Sequence, residues 1–159
     1  MPTKTTVNKT KGVIGDKLTL TAKVTDINGN PVKNGYVIFK INGITIKDNG
    51  QLNGSNENLK VYVSNGIATT NITAYLNIRS GKNITSVYAG SSTYESSRSN
   101  TATAEISLRK AQIVVTTNTT KVKQDQYIKF TATLYDITTG KLTTMTQDSS
   151  QYVYFKVMT

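Results

Sequence analysis

The chain has 159 residues, 36% of them in the broad hydrophobic set, and a formal charge of +10, with no cysteine and no histidine. These absences exclude disulfide staples, thiolate chemistry, the usual neutral-pH general base and the usual zinc ligand. The length admits one domain or one and a half small ones, and Val, Ile and Leu recur too regularly for a disordered tail.

Met1, Pro2 and Thr3 lead straight into polar sequence without an apolar leader, and no stretch approaches the ~20 apolar residues that span a bilayer. Membrane insertion is therefore not expected. Leu18, Leu20, Ala22 and Val24 then alternate with Lys17, Thr19, Thr21, Lys23 and Thr25, the pattern of a half-buried strand. Residues 26–31 (DINGNP) are turn chemistry, with Asn28 and Gly29 supplying a positive φ and Pro31 unable to donate to a central ladder. The next strand, 36–41, places Val37, Phe39 and Ile41 on one face and ends at Asn42 and Gly43, which predict a hairpin turn into 44–47.

Residues 48–56 are a loop by composition. Leu59, Val61 and Val63 alternate before Ser64, Asn65 and Gly66, so 59–63 and 67–75 are predicted to form a hairpin. Gly81 and Lys82 precede a strand over 84–88, and after the loop 89–99 a last strand presents Ala102, Ala104, Ile106 and Leu108. No stretch shows sustained 3.6-residue periodicity, so essentially no helix is expected. Short strands punctuated by turns predict an all-β sandwich.

The chain then begins again. Thr21, Ala22 and Asp26 match Thr131, Ala132 and Asp136 at a constant spacing of 110 residues, and Phe39 and Lys40 match Phe155 and Lys156. This predicts a complete module over 1–108, a short stiff joint over 109–111, and a truncated copy over 112–159. The copy should hold strands at 113–116, 127–135 and 152–158, with a polar loop over 138–151. Counterparts of 44–108 are missing, so Ile128, Phe130, Leu134, Val153 and Phe155 should face water and invite dimerisation or strand exchange. An interrupted repeat is also what a piece of a longer protein would show.

Three stretches together resemble the bacterial immunoglobulin-like repeats of adhesin-like surface proteins, as found in methanogenic archaea. They are 15–43 (GDKLTLTAKVTDINGNPVKNGYVIFKING), 63–73 (VSNGIATTNIT) and 86–106 (SVYAGSSTYESSRSNTATAEI). The last is the most specific, because repeats of that family close with a Tyr-x-Gly, a polar loop, a second Tyr and a Ser/Thr-rich strand, here Tyr88, Gly90 and Tyr94. The resemblance implies an immunoglobulin-like β-sandwich outside the cell, part of a longer exported protein, with neighbouring repeats as partners and a spacer or display role. It also implies a structural part for Tyr88, whose ring such folds bury while tying the hydroxyl to nearby backbone.

Candidate sites are sparse. The nine carboxylates (Asp16, Asp26, Asp48, Glu57, Glu95, Glu105, Asp125, Asp136, Asp148) are dispersed, with no pair marked out for glycosidase chemistry, so no catalytic residue and no cofactor is expected. Asp26, Asn28 and Asn30 start like a calcium loop, but Pro31 stands where that loop needs Gly and Val37 where it needs Glu, so no metal site is expected. Asn-x-Ser/Thr sequons at Asn8, Asn53, Asn71, Asn83 and Asn118 are about as frequent as composition alone gives, and become candidate glycosylation acceptors in an exported protein. A Lys-to-Asn isopeptide bond would need a desolvated lysine, and the lysines fall on outward phases or in turns.

Lysine scattered along alternating strands suits a solvated sheet that resists edge pairing. The sharper reading is attraction to an anionic wall polymer or surface glycan, with tyrosines such as Tyr36, Tyr62 and Tyr75 as stacking surfaces. Nucleic acid is not expected, since no recognition motif, zinc spacing or groove-entering helix is present.

Overall fold

The computed structural model describes residues 1–79, 82–118, 121, 123–138, 143–144 and 152–157. It separates into two units, Met1–Leu108 and Arg109–Thr159. The first carries β1 (Thr3–Val7), β2 (Thr10–Val13), β3 (Lys17–Asp26), β4 (Tyr36–Ile41), β5 (Ile44–Thr45), β6 (Val61–Tyr62), β7 (Ile67–Thr73), β8 (Asn83–Tyr88), β9 (Ser97–Arg98) and β10 (Ala102–Ser107). The fold is all-β. Among the described residues the only helical turn is a 3-10 turn at Leu76–Ile78, which puts Ile78 into the core.

Two sheets form. One has the order β1-β3-β7; the other runs β2-β10-β8-β4-β5, with β6 also beside β4 and β9 beside β8. The alternation of β3 sends Leu18, Leu20, Ala22 and Val24 inward, where they meet Val37, Phe39 and Ile41 of β4 and Ile84 and Tyr88 of β8, all fully buried. This is a β-sandwich core. Ser86 lies on the same inward face of β8, and its buried hydroxyl has no hydrogen-bond partner.

The turns follow their residues. Asn42 (φ 50°) and Gly43 (φ 79°) both adopt the left-handed conformation that a two-residue hairpin turn requires, and β4 pairs antiparallel with β5. Asn65 (φ 49°) and Gly66 (φ 80°) make the same turn, but the hairpin predicted over 59–75 does not form beyond a single bridge, Ser64 to Ile67. Instead β6 pairs with β4 in one sheet and β7 with β3 in the other. The reason is local: Gly66 donates to Val32 O at 2.8 Å and accepts from Val24 N at 2.8 Å, so the turn is stitched to a different pair of segments.

Three strands of the first unit were not legible in the sequence: β9, which lies inside the loop expected over 89–99, and β1 and β2. β1 pairs with β3, and after Val7 the chain changes sheets so that β2 lies parallel to β10. Their inward positions include Thr5 and Thr10, whose hydroxyls meet Ser97 Oγ at 2.6 Å and Thr19 O at 2.8 Å, so no apolar alternation advertises them. Leu108, expected on the core face of the last strand, is 55% exposed; β10 stops at Ser107, and its fully inward residue is Ala104.

The second unit holds β11 (Ala111–Thr117), β12 (Phe130–Asp136) and β13 (Thr143–Thr144), in the order β11-β12-β13. The predicted strand over 127–135 begins only at Phe130. The third predicted strand is not found: Tyr152–Val157 pairs with no strand among the described residues, and the strand beside β12 is instead β13, inside the expected loop. Residue 158 lies outside the described residues. The counterpart of 152–157 in the first unit, β4, is held by β5, β6 and β8 together, and the second unit supplies no such neighbours among its described residues. Residues 109–111, read as a joint, are tied into this unit: Arg109 pairs with Asp136, Lys110 N donates to Thr138 Oγ1 at 3.0 Å, and Ala111 opens β11.

Candidate functional site

Tyr88 ends β8 facing inward, and its hydroxyl donates to the Asn34 carbonyl at 2.9 Å. Backbone makes room for it. Gly35 sits at φ 89°, and a Cβ there would lie 2.6 Å from both Tyr88 Cε2 and Oη. Gly90 (φ 87°) turns the chain two residues later, at a point where a Cβ would stand 3.1 Å from Tyr94 O and Ser96 N. Ser91 N donates to Tyr94 O at 2.9 Å, and Tyr94 packs half-buried on the core. The three signature positions thus close one corner of the sandwich, with no reactive group among them.

The sequons are spread over the molecule. Asn8 is exposed between β1 and β2, Asn53 is exposed in the 48–56 loop, and Asn71 is exposed on β7, where its Oδ1 accepts from Thr19 Oγ1 at 2.6 Å. Asn83 is half-buried at the start of β8, and Asn118 is exposed in the second unit with its Oδ1 accepting from Lys129 N at 3.0 Å. Asn53 is on a loop outside both sheets.

Among the described residues the carboxylates are dispersed apart from Asp48 and Glu57, neighbours across the 48–56 loop with Asp48 N donating to Glu57 O at 2.8 Å. Asp26 is buried and caps its own turn, accepting from the N–H groups of Asn28 and Asn30 at 2.9 Å each and from Asn30 Nδ2 at 3.2 Å. Burial pushes its carboxyl up, but the hydrogen bonds from Asn30, Asn28 and Gly29 outweigh it and hold the group below its ordinary value. Both oxygens are engaged by the Asx turn that displaces the calcium-loop reading. The surface depressions that reach Asp26, Glu95 and Glu105 each contain one carboxylate. No group of three or more metal-ligating side chains occurs among the described residues. Lys47 Nζ donates to Asn58 Oδ1 at 3.0 Å, but this pair is exposed and lacks the desolvation that an isopeptide bond requires.

Aromatic and cationic side chains gather on the outer face of β4. Tyr36 stands directly across from Tyr62 of β6, their rings edge-to-face with centroids 6.0 Å apart, and Lys60 Nζ lies 5.3 Å from the Tyr36 ring centroid. Ile38 pairs with Val87, Val87 with Arg98, and Lys40 with Thr85, so all share this face. The sequence named Tyr36 and Tyr62 but did not bring them together, because the β4–β6 pairing spans a long loop. Tyr75, named with them, lies elsewhere and packs over Gly50.

The class this geometry defines is an all-β, two-sheet sandwich followed by a smaller three-stranded unit. No protein-family model matches the chain, and no curated protein matches it. No helix among the described residues is long and apolar enough to cross a membrane.

Proposed function

We propose that the chain is a non-enzymatic structural repeat, a length of stalk, in an extracellular adhesin-like protein. Residues 1–108 are then an immunoglobulin-like β-sandwich and 112–159 a second, shorter copy. The observation that carries this reading is a repeated strand pair: in each unit an antiparallel strand runs beside the strand that ends in the matched aspartate, with the register shifted by two residues from the 110-residue spacing. β1 meets β3 with Thr3 opposite Asp26 and Val7 opposite Ala22; β11 meets β12 with Ala111 opposite Asp136 and Val115 opposite Ala132. Asp26 and Asp136 close their strands with the same Asx turn, accepting from the N–H two residues on at 2.9 Å and 3.0 Å. A chain change of sheet between β1 and β2 and a buried, backbone-tied Tyr88 add support for an immunoglobulin-like arrangement.

Repeats in tandem build length, and their partners are neighbouring repeats. The test is to place the chain between a cell surface and a binding head of known ligand. The expected result is reach that grows with each added copy and head affinity that does not change. Loss of head binding on removal of one copy, with the remaining copies folded, would overturn the spacer role.

The same reading assigns the apolar side of 112–159 to contact between copies. Sedimentation of the chain should show concentration-dependent association that Phe155→Ser weakens; a monomer at all concentrations would refute it. A second reading, binding of a glycan or anionic wall polymer, is favoured by the Tyr36 and Tyr62 face.

A further inference from the structure

We infer that the outer face of β4, β6, β8 and β9 is a binding platform for an acidic polysaccharide. The inference deepens the second reading above and is independent of the stalk role. Sheet pairing decides which side chains share this surface: Tyr62 and Tyr36 at one end, Ile38 and Val87 in the middle, Arg98 and Lys40 at the other end and flank. Lys60 adds a third cation against the Tyr36 ring. No carboxylate stands among these residues, so the face is cationic and aromatic at once.

Tyr62 is 70% exposed. A ring of that size left in water on a sheet face is not needed by the core, whose contacts come from Val37, Phe39 and Ile41 on the opposite side of the same strand. The exposed Tyr62 ring offers a flat aromatic face on which the C–H face of a pyranose can stack, with the Tyr36 ring set edge-to-face beside it and the phenol hydroxyls placed to meet sugar hydroxyls. The cations account for the acidic part. Tyr36 and Arg98 are two strand spacings apart, about 10 Å across the sheet, a distance that a polymer with charge on successive sugars covers and a lone small anion does not. The surface is an open face and not an enclosed cavity, which again suits an extended ligand over a small one.

An acidic peptide would satisfy the lysines and the arginine equally well, and the aromatic pair is what separates the two. The experiment uses the full chain, isotopically labelled, titrated in low salt with a short oligogalacturonate while backbone amide shifts are followed. Parallel titrations use polyglutamate, which has charge without sugar rings, and a neutral oligoglucan, which has rings without charge. The expected result is movement of the Tyr36, Ile38, Tyr62, Val87 and Arg98 amides with oligogalacturonate, at higher affinity than with either control. Tyr62→Ala should weaken binding about five- to tenfold, from loss of one aromatic contact. Lys60→Gln should weaken it about threefold and flatten its salt dependence. Tyr127→Ala, removing a tyrosine that is 95% exposed in the second unit, should change nothing.

Polyglutamate binding as tightly at the same amides would overturn the proposal, as would unchanged affinity in Tyr62→Ala with its spectrum otherwise intact. Shifts confined to other residues would overturn this face while leaving glycan binding standing. No shift with any saccharide would overturn both.

Discussion

β3 and β12 begin as the same strand and end in different environments. Each pairs antiparallel with the strand that opens its unit, and each finishes in an aspartate that caps the following turn. Yet Leu20 of β3 is fully buried while its counterpart Phe130 on β12 is 39% exposed. Strand pairing and turn closure are decided by residues close in sequence, but burial requires a second sheet. In the first unit β4 and β8 supply it. In the second, Phe130 meets Phe155 at a ring-centroid distance of 5.7 Å, and no described residue of that unit is buried.

The sharpest way to break the comparison is at matched phenylalanines. Phe39 is fully buried in the first core, so Phe39→Ala should cost about 3–5 kcal/mol, transfer and cavity terms together. Phe155, its counterpart by sequence, is 48% exposed, and Phe155→Ala should cost under about 1 kcal/mol. Hydrogen exchange resolved by residue measures the two units separately. Equal losses would mean that the second unit has a core of its own.

Next in size is Gly35→Ala. The new Cβ would meet a fully buried Tyr88 ring at 2.6 Å from a backbone held at φ 89°, so overpacking and left-handed strain add to about 2–4 kcal/mol. Tyr88→Phe should lose about 1 kcal/mol, the net worth of the hydroxyl bond to Asn34 O. Urea melts rank the two. A larger loss for Tyr88→Phe than for Gly35→Ala would show that the hydroxyl bond, and not the space beneath the ring, holds this corner.

The two aspartates extend the comparison to pH. Hydrogen bonds from the Thr138 hydroxyl and N–H, then from Arg109, hold the Asp136 carboxyl at about 2, below its ordinary 3.8. Asp26 is likewise lowered, against its burial. A carboxyl depressed in the folded state stabilises it fully above the ordinary value and loses that contribution as pH falls through the folded one. For Asp136 the window runs from 3.8 down to about 2. NMR titration of the carboxyl carbon checks it. Thr138→Val, which removes the hydroxyl bond and keeps the N–H bond, should raise the Asp136 midpoint more than Arg109→Gln does, since the hydroxyl makes the largest single contribution. The reverse order would make this a salt bridge and not an Asx turn.

What could be read from the residues tracks the same division between local and distant. β3 and β4 were legible because apolar residues alternate over their whole length, and the Asn42–Gly43 turn because only a few residue pairs accept two positive φ angles. β1 and β2 were hidden by inward threonines whose partners, Ser97 and Thr19, no local pattern reveals. The 59–75 hairpin failed although its turn was read correctly, because the turn residues bond to Val24 and Val32, more than thirty positions earlier. The Tyr36–Tyr62 pair was invisible for the same reason. Register between strands separated by a long loop is set by the core they share, and side-chain alternation within either strand says nothing of its partner.

Ser86 tests the smallest term in that core. It alternates correctly with Ile84 and Tyr88 and lies opposite Phe39, yet its hydroxyl is fully buried and unpartnered while its N–H donates to Ser99 Oγ at 2.8 Å. An unpaired buried hydroxyl costs free energy that a methyl does not, and Ser→Ala removes one small atom and leaves almost no void. Ser86→Ala should therefore be neutral or stabilise the first unit by up to about 1 kcal/mol, read as a shift in the urea midpoint at constant slope. A loss above that size would mean the hydroxyl is bonded in solution. The place to look for its partner would then be the hydroxyl cluster of Thr3, Thr5 and Ser97, where β1 and β9 already share a short chain of donors and acceptors.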